Sequence, residues 1–147
     1  MAAKIPFKGS KVEWDSTGGT TWATLGDLAG LMPPQKKRRI ADSTVADSAN
    51  DYREHLPHYK EGGSPKARFR LHKTQFALLD TAFEADTIPN WRFSIPLLSG
   101  ETTPSRWTFL AIIEDLGIPE RSVDDDNVYD VEVTLMITGK PTFAAGS

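Results

Sequence analysis

Three features of this 147-residue chain predict a mainly β domain with one helix and a long arm. The second half alternates apolar and polar residues with the period of two that a half-buried strand requires. One stretch repeats its apolar residues at helical spacing. Between the N-terminal hairpin and these patterns lies a polar segment, 33–65, too long for an ordinary connection inside a compact domain.

The elements follow in chain order. Residues 11–14 and 21–25 read as a short hairpin around Ser16, Thr17, Gly18 and Gly19. Segment 33–65 has only scattered apolar residues: Ile40, Val45, Tyr52, Leu56 and Tyr59. Ordering each residue costs about 1–2 kcal/mol of backbone entropy, and so few apolar groups cannot offset that within one chain. The segment is therefore either mobile when alone or docked on a partner, as a hairpin arm can be by strand addition. Next comes a strand in which Ala67, Phe69 and Leu71 alternate with Arg68 and Arg70.

The helix starts with Thr74 as N-cap. Phe76, Leu79 and Phe83, flanked by Leu78 and Ala82, form its core face, and Asp86, Thr87, Ile88 and Pro89 stop it. Residues 91–97 alternate strictly, with Pro96 near the strand end or at an edge. Residues 106–113 are apolar on both faces, with Trp107, Phe109, Ala111 and Ile113 on one and Leu110 and Ile112 on the other. Such a strand is covered on both sides, by its own helix or by a neighbouring subunit. In the last strand Tyr129, Val131, Val133, Leu135 and Ile137 share one face. Asp130, Glu132, Thr134, Met136 and Thr138 share the other, and Gly139, Lys140 and Pro141 end the strand.

Composition narrows the function. There is no cysteine, hence no disulfide, thiolate nucleophile or thiolate metal site, which fits assembly in a reducing cytoplasm. No apolar stretch approaches the roughly 20 residues that span a bilayer, and residues 1–7 lack a signal-peptide core, so no membrane association is expected. The net charge of −3, from 17 basic and 20 acidic residues, is not that of a general nucleic-acid binder. It suits a surface that DNA passes without sticking.

No nucleophile elbow, phosphate loop or dinucleotide fingerprint is present, so no catalytic or cofactor-binding residue is assigned. Lys36, Lys37, Arg38 and Arg39 form a basic tetrad. It reads as a nucleic-acid contact, as a solvated charge run, or as the partner of an acidic patch on the next subunit, such as Asp124, Asp125 and Asp126. His55 and His58, near Glu54 and Glu61, lack the ligand spacing of a metal site. The aspartate triplet lacks the sixth-position glycine and twelfth-position glutamate of a calcium loop. The four tryptophans, Trp14, Trp22, Trp91 and Trp107, fit a core and interface role better than a base-stacking platform, since Trp91 and Trp107 lie on apolar strand faces.

Three stretches resemble the major tail-tube subunits of long-tailed, siphovirus-type bacteriophages. The first runs from Trp22, Ala23, Thr24 and Leu25 through Gly30 and Leu31 to Pro33 and is similar to the family's opening strand and turn. The second is Tyr52, Arg53, Glu54, His55, Leu56 and Pro57, followed by Lys60, Glu61, Gly62 and Gly63. It resembles the family's return from a long loop, with His58 where family members often carry glycine. The third is the acidic lead-in, Asp124 to Val128, with the last strand and its Gly139, Lys140, Pro141, Thr142, Phe143 ending.

The resemblance implies a β-sandwich flanked by one α-helix, a single domain over 1–147, with 33–65 as an inter-subunit arm. It implies a non-enzymatic subunit that forms stacked hexameric rings, the conduit for genome delivery, in a virion tail assembled in the host cytoplasm. The implied partners are copies of itself, a tape measure protein, a tail terminator, distal tail or baseplate proteins, and passing DNA. Neither cofactor nor metal is implied. The expected inter-subunit contacts are Lys36, Lys37, Arg38, Arg39, Tyr52, Tyr59, Asp124, Asp125 and Asp126. Two other readings compete: a monomeric β-sandwich binding module, and the tube protein of a contractile injection or type VI secretion system.

Overall fold

The computed structural model describes residues 5–46, 52–120, 122 and 129–147. Strand β1, Lys11–Asp15, pairs antiparallel with β2, Ala23–Leu25, as the hairpin pattern predicts. The Asp15 carboxylate organises the connection. It accepts bonds from the Thr17 hydroxyl at 2.6 Å and from the N–H groups of Thr17 and Thr21 at 2.9 Å each. These bonds lower its pKa, the Thr17 hydroxyl most, because they favour the ionised form.

After β2 the chain bends at Gly26 and Asp27 and continues as β3, Leu28–Met32. Asp27 holds φ 59°, a left-handed conformation that aspartate tolerates better than most residues. The order of the seven-stranded sheet gives this bend its meaning: β2-β1-β7-β8-β9-β6-β3. Here β6 is Lys66–Arg70, β7 is Asn90–Ser94, β8 is Arg106–Gly117 and β9 is Asp130–Ala144. The two edges of the sheet are consecutive pieces of one bent strand, and all its pairings are antiparallel. With β2 and β3 counted once, the seven strands make a closed ring of six. A strand that switches partners at a bend is the usual way to turn such a corner.

The helix α1, Lys73–Glu84, braces the corner. The Gln75 side-chain amide accepts from the Gly26 N–H at 3.0 Å and donates to the Gly26 carbonyl at 3.2 Å. Leu79 is buried in the core, with Phe76 and Ala82 packed beside it. Three helix expectations change. The N-cap is His72 rather than Thr74, and it makes no side-chain capping bond. Leu78 and Phe83 are 55% and 44% exposed, because the face that meets the sheet is narrow and is filled by Phe76, Leu79 and Ala82.

Inside the ring, Val12, Phe69, Trp91, Phe93, Val133 and Leu135 are fully buried. The Trp91 indole N–H donates to the Ala111 carbonyl at 3.1 Å, so the largest core side chain leaves no unmet polar group. Phe93 and Phe109 meet edge to face at 5.0 Å. Alternation predicted this register correctly: Val131, Val133 and Leu135 face the core, whereas Glu132 and Met136 face out.

Two strand expectations are corrected, and one of the two covers expected for β8 is ruled out. Gly139, Lys140 and Pro141 do not end β9, which runs on to Ala144. Gly139, at φ 85°, lies in an irregularity where the ladder shifts from Leu110↔Thr138 to Thr108↔Thr142. A turn signal and a bulge signal use the same residue, and here the long β8 holds the chain in the sheet. Asp130, placed on the outer face by alternation, is buried, with Arg70 at 2.7 Å and Arg68 at 3.7 Å. The second face of β8 is uncovered by the described residues, for Leu110 is 42% and Ile112 49% exposed, so the chain's own helix is not its cover. The helix covers the inner face instead.

Candidate assembly surface

Two strands stand apart from the ring. Among the described residues, strands β4, Lys37–Asp42, and β5, His55–Glu61, pair only with each other and form an antiparallel hairpin arm. Every residue of β5 is exposed, as is β4 apart from the half-buried Ala41. The arm still carries apolar groups: Ile40, Leu56 and Tyr59 are 65%, 57% and 73% exposed. A two-stranded hairpin without a face to pack on is marginal in water.

Local polar bonds hold the arm's far end. The Asp42 carboxylate accepts from the Thr44 N–H at 2.8 Å and from the Arg53 guanidinium at 3.1 Å. Its pKa is lowered, by Thr44 most and by Arg53 less. Ser43 N–H donates to the Glu54 carbonyl at 2.9 Å, and Glu54 N–H donates to the Thr44 hydroxyl at 2.8 Å. Near the root, Arg39 and Glu61 pair at 2.9 Å, both well exposed, a contact of at most about 1 kcal/mol.

The root itself is tightly made. Gly63 takes φ 84°, and a β-carbon there would collide with the Gln35 carbonyl. A β-carbon on Gly62 would stand 2.7 Å from Ile137 Cγ2. Two glycines thus let the arm leave the ring beside β9. A groove of about 1070 Å³ opens there, bounded by residues of both arm strands and by β9. Lys36, Lys37, Arg38, Lys60 and Lys140 line it with one carboxylate, Glu61.

The contact residues expected from the sequence are now placed. Lys36, Lys37, Arg38 and Arg39 lie at the start of the arm, and the first three reach the groove while Arg39 is turned to Glu61. Tyr52 and Tyr59 are 76% and 73% exposed, and Tyr59 stacks edge-on against His58 at 4.3 Å. Asp124, Asp125 and Asp126 lie outside the described residues. Among the described residues no three His, Asp or Glu side chains gather as a metal site would require.

Sequence reading missed one part of this surface and the extent of another. Lys60 and Lys140 join the tetrad only through the fold, since they come from β5 and from the irregular part of β9. The bare strip of Leu110 and Ile112 on β8 continues into Met136 on β9, 45% exposed and directly opposite Ile112. The two-sided apolar pattern of β8 was its signal in the sequence. Beside the strip the outer face turns polar, where Arg92 and Glu13 pair at 2.7 Å and Arg92 stacks 4.4 Å over Trp22.

No family model and no curated protein matches this sequence. Solved structures match it along almost its full length. A chain of the PVC extracellular contractile injection system, in its sheath/tube terminator in the extended state, superposes with TM-score 0.76 at 13% identity, covering 98% of this chain and 99% of that one. A chain of the anti-feeding prophage baseplate gives TM-score 0.73 at 12% identity, covering 99% and 98%. The tail tube of SPP1 gives 0.60 at 13% identity, covering 98% and 80%. The mainly β fold with one helix is therefore one that this chain shares with chains of phage tails and contractile injection machines.

Proposed function

We propose that this chain is a structural subunit, not an enzyme, that builds the tube of a phage tail or a related injection machine. In this reading subunits close into hexameric rings, and the rings stack into the conduit for genome delivery. The observation that carries it is the arm. Strands β4 and β5 project from a closed ring with Ile40, Leu56 and Tyr59 uncovered, a form that makes physical sense when a neighbouring copy supplies the missing face. The bare strip of Leu110, Ile112 and Met136 supports the same reading. So does the shared fold, whose solved examples belong to assembled machines.

The contact residues are then Lys36, Lys37, Arg38, Arg39, Tyr52 and Tyr59 on the arm, with Asp124, Asp125 and Asp126 as candidates on the facing copy. Tape measure, terminator and baseplate proteins would be partners at the ends of the tube, and DNA would pass without sequence-specific binding. The finished subunit resides in the virion tail after assembly in the host cytoplasm.

Whether the tube belongs to a long, flexible tail or to a contractile machine separates two versions. The sequence resemblance favours the first. Higher TM-scores with contractile injection systems, 0.73–0.76 against 0.60 for SPP1, favour the second. Electron micrographs of particles containing the chain decide, because only the second version has a sheath around the tube.

The experiment for assembly itself is sedimentation of the purified chain over a wide concentration range, with micrographs of the heavy fraction. Six-fold rings or tubes are expected. A chain that stays monomeric at millimolar concentration would instead be a binding module that uses its arm for recognition.

A further inference from the structure

The groove at the root of the arm is strongly basic. Five cations line it, and its one carboxylate, Glu61, is already engaged by Arg39. Those five cations and one carboxylate sum to +4, in a chain whose formal net charge is −3, so the rest of the chain carries −7. A second copy is thus, by charge alone, a complementary partner for the groove. Its walls are also partly apolar, with Met136 and Ile137 exposed or half-buried on β9. The ladder of β6 on β9 stops at Thr134, and backbone bonds from Leu135 to Pro65 and from Ile137 to Gly63 extend it by one turn of the pleat. From Thr138 to Ala144 no described strand pairs with β9 on that side. An extended segment can lie there.

We propose that this groove receives the acidic run Asp124, Asp125, Asp126 of a second copy, and that this head-to-tail contact fixes the register between neighbours. The inference rests on the assembly reading above and names its partner surfaces. The run is flanked by Val123 and Val128, which suit the apolar wall. In its own chain it is tethered to Asp130, the first residue of β9, while the groove lies around Thr138. Eight strand residues span about 27 Å. The six residues from Asp124 to Asp130 reach at most about 21 Å when fully extended. A run from a second copy is under no such tether, which suits the two different surfaces of a heterologous contact. Complementary charge at such a contact selects partner and register more than it adds affinity.

The test has two arms, each using the full chain. In the first, a labelled peptide with the sequence of residues 122–130 is titrated with the chain held below its assembly concentration. Saturable binding that weakens with salt is expected. It should weaken by about tenfold or more in the variant Lys37→Glu, Arg38→Glu, Lys60→Glu, and with a peptide carrying asparagine at the three aspartates. Equal binding by wild-type and reversed grooves, or none by either, overturns the proposal. So does a groove that ignores the peptide and binds a short single-stranded oligonucleotide, which would make nucleic acid the ligand.

In the second arm, the absence of cysteine is useful. Asp125→Cys and Lys60→Cys variants are mixed under assembly conditions and oxidised. Mixed disulfide dimers in excess of those from either variant alone are expected. Assembled rings without that cross-link overturn the groove contact and leave the tube reading intact. Peptide binding without any assembly leaves the groove intact and removes the tube reading.

Discussion

The ring and the arm are built from the same alternating strands, yet they solve opposite problems. The ring closes on itself through the bend at Gly26 and Asp27, so its backbone edges are used and its large side chains meet one another. The arm has two strands, both lying on open surface, and its side chains meet water. Closure concentrates folding stability in the ring. The arm adds little to that stability and is left available to a partner. Mutations should therefore separate the two regions: ring changes act on folding, and arm changes act on assembly.

The strongest break in that comparison is Val133→Asp. Val133 is fully buried opposite Ala67. An unpaired buried carboxylate costs several kcal/mol, on the order of the whole stability of a domain, about 5–15 kcal/mol. The variant is expected to show no cooperative melting transition. Its neighbour Glu132 faces out, and Glu132→Ala should melt within about 0.5 kcal/mol of wild type. Similar melting curves for the two would mean that the register is wrong by one residue.

Asp130→Ala probes the ring's charged seam. The carboxylate is 2% exposed, whereas Arg68 and Arg70 keep 47% and 48% of their side-chain surface. Removing one partner of a fully buried pair costs about 3–5 kcal/mol. Here the arginines can turn to solvent, so a loss of about 1–3 kcal/mol is expected in denaturant titration. Asp130→Asn, which keeps the shape and can still accept hydrogen bonds, should recover part of it.

Acid separates the regions more gently. Asp15 in the ring and Asp42 in the arm both have pKa values lowered from the ordinary 3.8, by Thr17 and by Thr44 respectively. A lowered native pKa means that the contribution is present above the unfolded value and is lost as the pH falls through the native one. Below about pH 4, ring stability should therefore decline through Asp15, while Asp42 should release only the arm's far end. Melting against pH should lose part of its acid slope in Asp15→Asn and keep it in Asp42→Asn. Equal slopes in all three proteins would remove Asp15 from the acid response.

The smallest expected effect on folding comes from Leu56→Ser with Tyr59→Ser, two exposed arm positions. Stability should change by no more than about 0.5 kcal/mol per site. Assembly should fail, as seen by sedimentation. A pair of substitutions that left assembly normal would take the arm's apolar groups out of the interface. Hydrogen exchange sharpens the same contrast: β4 and β5 should exchange fast in the monomer and slowly in the assembled form, while the core strands stay protected in both.

Much of the ring was legible in the sequence. Strict alternation from Val131 to Met136 fixes which side chains of that part of β9 are buried, because a period of two leaves only two possible faces; at the strand's start it fails, with Tyr129 exposed and Asp130 buried. The hairpin of β1 and β2 was visible in its turn residues, and the helix in Phe76, Leu79 and Ala82. Of the candidate surface, Lys36, Lys37 and Arg38 and the exposed tyrosines could be named, but Lys60 and Lys140 could not. Nothing local marks two lysines eighty residues apart as neighbours.

The remaining decisions belong to tertiary structure. Thr74 is a good N-cap by type, yet the cap lies two residues earlier at His72, just after the chain leaves β6. Gly139 and Pro141 read as a strand end, yet pairing with β8 carries β9 through them to Ala144. Asp130 reads as an outward residue, yet two arginines from β6 make its burial tolerable. Local sequence sets which conformations and which faces are cheap for each segment. Which strand becomes whose neighbour, and hence which charges share a groove, depends on contacts between distant residues that no short window of sequence contains.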